Sequence, residues 1–235
     1  MSRGKEIGAQ FQQQTKYRRG HLPNSTGKVF PSLKVYANPL EVAALPDPKL
    51  GGGRDLWETL AHRREHIPEG GRIRQPELSQ ILWSTAGFTR NAQRTHVKTG
   101  IVSGIETYLI AQHVEDTFPG VYHYNPRDHS LEYLWRGDPS SELEAALLGD
   151  TNIDACAAVL AYTGVPARLE DGAKSRAYRY LYTEAGAAAQ CAVMAAISLD
   201  LVATFRAEFY DDELARFLQV DGVNECPLGV VTLGN

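Results

Sequence analysis

Two adjacent guanidinium groups, Arg63 and Arg64, stand where a run of helically spaced apolar residues, Leu56, Trp57, Leu60 and Ala61, comes to its end. A guanidinium presents a planar fork of N–H donors that matches phosphate oxygens, so the pair is a candidate anion cradle. The plainer alternative is two cations complementing the negative end of the helix dipole. The seven histidines, His21, His62, His66, His96, His113, His123 and His129, are scattered, and only His62 and His66 share an i, i+4 face. With no third ligand in view, surface histidines are favoured over a metal site, and no metal is expected. His123 and His129 flank a hairpin turn and could face each other across the strands, but such pairs are common and are assigned no chemistry. Cys156, Cys191 and Cys226 show neither a CxxC nor a Cys/His pairing at metal spacing. They read as reduced thiols of a cytoplasmic protein, and no secretory start is evident.

No GxGxxG, P-loop, GxSxG or HExxH occurs, which removes support for dinucleotide-fold, phosphoryl-transfer, α/β-hydrolase and zincin chemistry. Of 235 residues, 43% are hydrophobic and 22% charged, ordinary globular composition. A net charge of −4 offers no basic field for nucleic acid. The weakly polar run from Ala185 to Ala203 is broken by Gln190, Ser198 and Asp200, which suits a buried helix and not a membrane span.

The elements that must position these residues follow from pattern. Residues 1–53 carry Pro23, Pro31, Pro39, Pro46 and Pro48 together with Phe11, Tyr17, Phe30 and Tyr36, which predicts an extended arm lying on the body or on a partner subunit. Residues 54–235 form the main domain. Asp55 and Glu58 cap a helix to about Arg64, and a second helix starts at Pro76 and stops at Gly87. Strands are expected at Ile105–Val114, Gly120–Tyr124 and Ser130–Leu134, the last two forming a hairpin. Beyond them the pattern predicts a helix from Ser141 to Leu148, a buried strand from Cys156 to Tyr162, and one or two helices over Arg176–Leu199. A strand over Leu201–Phe209, a helix over Asp211–Leu218 and a strand over Pro227–Leu233 complete an α+β order.

Several strings fall in the order and spacing of one family. Phe11 to Lys16, then Pro31 to Tyr36 and Leu45-Pro46, precede Leu78-Ser79-Gln80-Ile81-Leu82-Trp83 with Gly87, and Arg94-Thr95. Gly120-Val121-Tyr122-His123-Tyr124-Asn125-Pro126 with His129-Ser130-Leu131-Glu132 follows, then Arg176 to Tyr180, Glu184-Ala185-Gly186, Gln190, Pro227-Leu228 and Leu233-Gly234. The chain resembles the SagB-type dehydrogenase branch of the nitroreductase-like flavoproteins over nearly its whole length. That resemblance implies a nitroreductase-like α+β fold with a mostly antiparallel central sheet flanked by helices. It also implies FMN at the interface of a tight homodimer, and action on nitro groups, quinones or the azolines of modified peptides, in some cases within a biosynthetic complex.

By the same resemblance Arg63, Arg64 and Arg94 would hold phosphate or ribityl, Gly100 would belong to the flavin loop, and the backbone of Asp200, Leu201 and Val202 would face the ring. The chain departs from the family here. Glu65 replaces a serine after the arginine pair and would oppose a phosphate at 4 Å by roughly 4 kcal/mol before screening. Asp200-Leu201-Val202 replaces Gly-Leu-Gly, and Gly172-Ala173 stands where peptide-oxidising members carry a Lys-Tyr pair. Lys174 and Tyr178 are the nearest substitutes and, as i and i+4 of a helix, would share a face. The alternative is a degenerate member that binds flavin poorly and serves as a partner or peptide-binding subunit. A dimer interface is expected along the small-residue helix from Gly186 to Ala196, wrapped by the arm.

Overall fold

A computed structural model describes residues 6–28, 30–63 and 68–235. Among them seven strands form one sheet: β1 (Glu41–Ala44), β2 (Ile105–Ala111), β3 (Gly120–Asn125), β4 (Ser130–Arg136), β5 (Ala158–Gly164), β6 (Val202–Arg206) and β7 (Cys226–Gly234). The order is β1-β4-β3-β2-β5-β7-β6, and every neighbouring pair is antiparallel. The central strands β2 and β5 are buried throughout because helices cover both faces. Alternation along each strand sends Leu109, Leu160, Val231 and Leu233 to one face and Ile110, Val121, Val159 and Val230 to the other.

The first face is covered by α3 (Gln75–Ala86) and α6 (Ala177–Ser198), the second by α4 (Ser140–Ala146) and α7 (Asp211–Phe217). The short helix α2 (Leu56–Ala61) starts as its sequence predicts, with the Asp55 carboxylate accepting from Glu58 N at 3.0 Å. In α3 Pro76 occupies the first turn and Glu77 reaches back to Arg74 N at 3.0 Å. The long segment is a single helix, α6. Its alanines 185, 188, 189, 192 and 196 are buried within the chain, and Thr85 Oγ1 donates to Ala188 O at 2.7 Å to fasten α3 against it. The small-residue face expected at a dimer interface is therefore used for internal packing, and the outward face carries Tyr182, Gly186 and Gln190 instead.

The arm is less extended than predicted. Its first part is a helix, α1 (Ile7–Gln14), ahead of the first proline. Arg176 Nη1 donates to Thr15 O at 2.7 Å and Arg179 Nη2 to Gln12 O at 2.6 Å, which tie α1 to the start of α6. β1 joins the sheet edge against β4. A short helix, α5 (Ala167–Ala173), was also not expected. β2 ends at Ala111, and Val114 only bridges Ile73. α4 begins at Ser140, whose hydroxyl donates to Asp138 at 2.6 Å, so the predicted Ser141 cap is not made.

Candidate functional site

Of the residues assigned to the cofactor, Asp200, Leu201 and Val202 line one cleft and Gly100 lines another. The first lies between α2 and the start of β6, is lined by Arg54, His62, Asp200, Leu201, Val202 and Ala203, and holds about 200 Å³. α2 is fixed there because Arg54 N donates to Ser198 O at 2.9 Å and Arg54 Nε to Asp200 Oδ1 at 2.8 Å. Asp200 takes the left-handed conformation, φ +64°, that closes the turn after α6. Glycine adopts it most readily, and aspartate is among the few others that do. Arg63 is exposed just beyond α2. Arg64 and Glu65, assigned to the same phosphate site, lie outside the described residues, as does His66.

The second cleft, about 350 Å³, lies under the arm. Its body wall includes Gly100, Val102, Arg168, Leu169, Ala173 and Tyr180, and its arm wall Ser25, Lys28 and Phe30. A Cβ at Gly100 would stand 2.6 Å from Leu169 Cδ2, so any side chain there would displace the Leu169 side chain. The Gly100 loop is pinned to α6 by a buried pair. His96 Nδ1 lies 2.7 Å from Thr85 O and Nε2 3.1 Å from Glu184 Oε1, while Gly104 N donates to Glu184 Oε2 at 3.3 Å. Burial raises the Glu184 pKa, but these donors outweigh it and hold the carboxyl below its ordinary range. Thr99 Oγ1 donates to Tyr180 O at 3.2 Å, which puts the loop beside the first turn of α6. The two clefts therefore sit at opposite ends of a 22-residue helix, about 33 Å long at 1.5 Å per residue.

Residues 74–235, which include every strand but β1, match the Nitroreductase family. The chain belongs to the nitroreductase family. A Methanocaldococcus jannaschii protein described as a nitroreductase is 30% identical over 159 residues, 67% of this chain and 79% of its own length. A Ralstonia eutropha structure described likewise superposes with a TM-score of 0.70 at 24% identity, covering 92% of this chain and 95% of that one. One from Anabaena variabilis gives 0.68 at 25% identity over 76% of this chain, which spans only 37% of that protein. The Escherichia coli microcin synthetase McbBCD complex with truncated pro-MccB17 bound shares the fold, with a TM-score of 0.64 and 22% identity over 86% of this chain and 84% of that one.

In this nitroreductase-family chain the remaining assigned residues are placed differently from expectation. Lys174 does not share a helical face with Tyr178. It follows α5 at φ +50°, breaking the helix, and α6 starts only at Ala177. Lys174 is exposed on a groove that shares Lys28, Phe30 and Asp171 with the second cleft. Tyr178 has its pKa raised, first by burial. Arg94 lines neither cleft. Its Nη1 donates to Ala86 O and its guanidinium lies 4.8 Å from the Phe88 ring centre, so it braces its own loop.

The most polar constellation among the described residues was missed from the sequence. Glu106, Tyr108, His123, Glu132 and Thr163 share one sheet face, because β2, β3, β4 and β5 pair with Tyr108 opposite His123, His123 opposite Glu132 and Glu106 opposite Thr163. His123 is fully buried, with Nε2 3.1 Å from Glu106 Oε2 and Nδ1 2.8 Å from Glu132 Oε2. It neither faces His129 nor lies on the surface. Burial depresses its pKa, yet the two carboxylates outweigh it and the net shift is upward. Both ring nitrogens face acceptors, so the ring is an imidazolium. Glu106 and Glu132 are likewise raised by burial and lowered further by His123, a net fall. The arm covers this cluster: Lys34 N donates to Glu106 Oε1 at 2.8 Å, Tyr36 N to Glu132 Oε2 at 3.2 Å, and Lys34 Nζ to Glu225 Oε2 at 2.7 Å. The signal was present as polar residues at alternate positions of otherwise apolar strands. Their partners depend on register, which no spacing within one strand reveals. Among the described residues no group of three His, Cys, Asp or Glu could hold a metal ion, and no helix is long and apolar enough to cross a membrane.

Proposed function

We propose that the chain is an FMN-dependent oxidoreductase of the SagB-type branch, working as a homodimer in which each flavin lies between the first cleft of one copy and the second cleft of the other. The observation that carries this reading is the separation of the two clefts. The first cleft is smaller than the ~300–1,000 Å³ typical of cofactor sites, and the residues assigned to FMN are divided between it and the second. One chain cannot close both on one flavin, whereas a two-fold axis crossing α6 near Gly186, close to its midpoint, brings the far end of one copy toward the near end of its partner. The donor chemistry of the assigned residues supports FMN in that arrangement. Arg63 and Arg64 would hold the phosphate, Asp200 to Val202 would offer backbone to the ring, and the Gly100 loop would cover it. When bound, FMN supplies the hydride chemistry, and the protein supplies position and charge.

The substrate proposed is an azoline or related group on a peptide. The family resemblance supports it, and the microcin synthetase neighbour, solved with a truncated precursor, is consistent with a peptide and with partner proteins. Oxidising a substrate carbon requires a proton acceptor, and Lys174 offers an amine on the rim of the second cleft, with Tyr178 close in sequence. Lys174→Ala should lower turnover by about 10²-fold or more with FMN still bound, and Tyr178→Phe by less. Unchanged turnover in both would remove them from proton transfer. A second reading is favoured by Asp200, whose carboxylate, paired with Arg54, stands in the first cleft where the family has glycine: a subunit that binds flavin poorly and acts as a partner. The visible spectrum of the freshly purified protein separates the two, with flavin absorbance supporting the first and its absence after incubation with FMN the second.

A further inference from the structure

Arg168 lines the cleft beneath the arm with its side chain 4% exposed. Its Nη2 donates to Glu106, while Nη1 is buried and has no hydrogen-bond partner among the described residues. A buried guanidinium N–H without an acceptor is unfavourable, and native proteins generally supply one as water, ion or ligand. The surroundings suit a ligand with both an anionic and an apolar part. The cleft holds about 350 Å³, with Phe30, Val102, Leu169 and Ala173 as apolar walls. The Lys28 ammonium stands on the arm side, 4.6 Å from the Phe30 ring centre.

Two of the carboxylates nearby, Asp171 and Glu106, are already occupied. Asp171, on the rim, accepts from the hydroxyls of Ser25 and Thr26, from Thr26 N at 2.8 Å and from Gly27 N at 3.1 Å. Glu106 behind Arg168 is matched by His123 and by Lys34 N. Among the described residues, Arg168 Nη1 is therefore a buried donor without an acceptor on a residue of the cleft wall, and the Lys28 ammonium, held over the Phe30 ring, is a second cation on the arm side.

We propose that this cleft binds a carboxylate carried on a small apolar body, with Arg168 Nη1 and Lys28 taking the oxygens and Phe30, Val102 and Leu169 taking the body. The proposal rests on the oxidoreductase reading only in treating this cleft as the substrate side. The contacts that recognise the acid do not depend on flavin. In functional terms it makes the substrate acidic near the group that is oxidised, and it explains why the arm, which supplies Lys28 and Phe30, is fastened at both Asp171 and the Glu106–Glu132 cluster.

The test is calorimetric titration of the full chain with hydrocinnamate and with hydrocinnamamide, its neutral counterpart of the same shape. The acid should bind about tenfold tighter than the amide, the difference expected for hydrogen bonds to a charged acceptor. Arg168→Gln should abolish the preference. Because that change also removes a bond to Glu106, Lys28→Glu serves as the second variant. It alters an exposed arm residue and should lower acid binding several-fold while leaving amide binding unchanged. Equal binding of acid and amide, binding of neither, or a preference undiminished by Lys28→Glu would overturn the proposal. Flavin absorbance of the same samples is read separately. Acid preference without flavin would sink the oxidoreductase reading alone, and flavin without acid preference would sink this site alone.

Discussion

With a carboxylate against each ring nitrogen, His123 has no position left from which to take a proton from a substrate, and its role is to hold charge balance beneath the arm. Removing it with His123→Ala leaves Glu106 and Glu132 buried without their shared cation, and denaturant unfolding should show a loss of about 3–5 kcal/mol. The pH dependence follows from the same three groups. Glu106 and Glu132 lie below the ordinary 4.5, so their contribution is present above that value and is lost as pH falls through their folded pKa values. His123 lies above the ordinary 6.5, so its contribution is full below 6.5 and is lost as pH rises through its folded value. Stability should be greatest between these limits, and the alkaline decline should disappear in His123→Asn. A decline of the same size in that variant would assign it to other groups. At the cofactor, Glu65→Ser should strengthen FMN retention by removing a carboxylate beside the phosphate, with a smaller gain at high salt. An unchanged or weaker affinity would show that the phosphate site is misassigned. That assignment comes from sequence order alone, since Arg64 and Glu65 fall outside the described residues.

Elements were legible where local chemistry dictates them. Asp55 and Glu58 start α2, Pro76 and Gly87 bound α3, and Asn125-Pro126 opens the β3–β4 turn. Helix α5 was not legible because it is seven residues long, ends on a left-handed Lys174 and has no capping side chain. β1 is a four-residue edge strand between Pro39 and Pro46, and only its pairing with β4 makes it a strand. The expectation for Lys174 and Tyr178 failed for a related reason: an i, i+4 argument holds only inside one helix. α6 was legible as a buried helix but not as to which partner buries it. Its alanines face α3 and the sheet, which leaves the stripe of Tyr182, Gly186 and Gln190 exposed as the contact face of the proposed dimer. A side chain at Gly186 would meet nothing within 4 Å in the single chain, so Gly186→Trp should leave the fold intact. Light scattering should then report a monomer where the unmodified protein is a dimer. A Gly186→Trp variant that remains dimeric would move the interface elsewhere.

At the scale of the molecule, one helix organises the core and sets the distance between the two clefts. The α+β class and the antiparallel sheet could be anticipated from the order of elements and from family resemblance, whereas the seven-strand order could not, because it depends on long-range pairing. The central claim is that each flavin is shared between two copies, and complementation between defective chains tests it most directly. Arg63→Glu removes the phosphate donor proposed beside the first cleft and Gly100→Trp fills the second, so neither homodimer should retain FMN. Random mixing of the two unfolded and refolded together yields heterodimers in which one site carries both defects and the other carries none. Flavin absorbance co-eluting with the dimer should then recover to about a quarter of the unmodified level, since about half the dimers are mixed and each has one intact site of two. No recovery on mixing, with both variants folded and dimeric, would contradict a shared site and place the cofactor within a single chain or outside this protein.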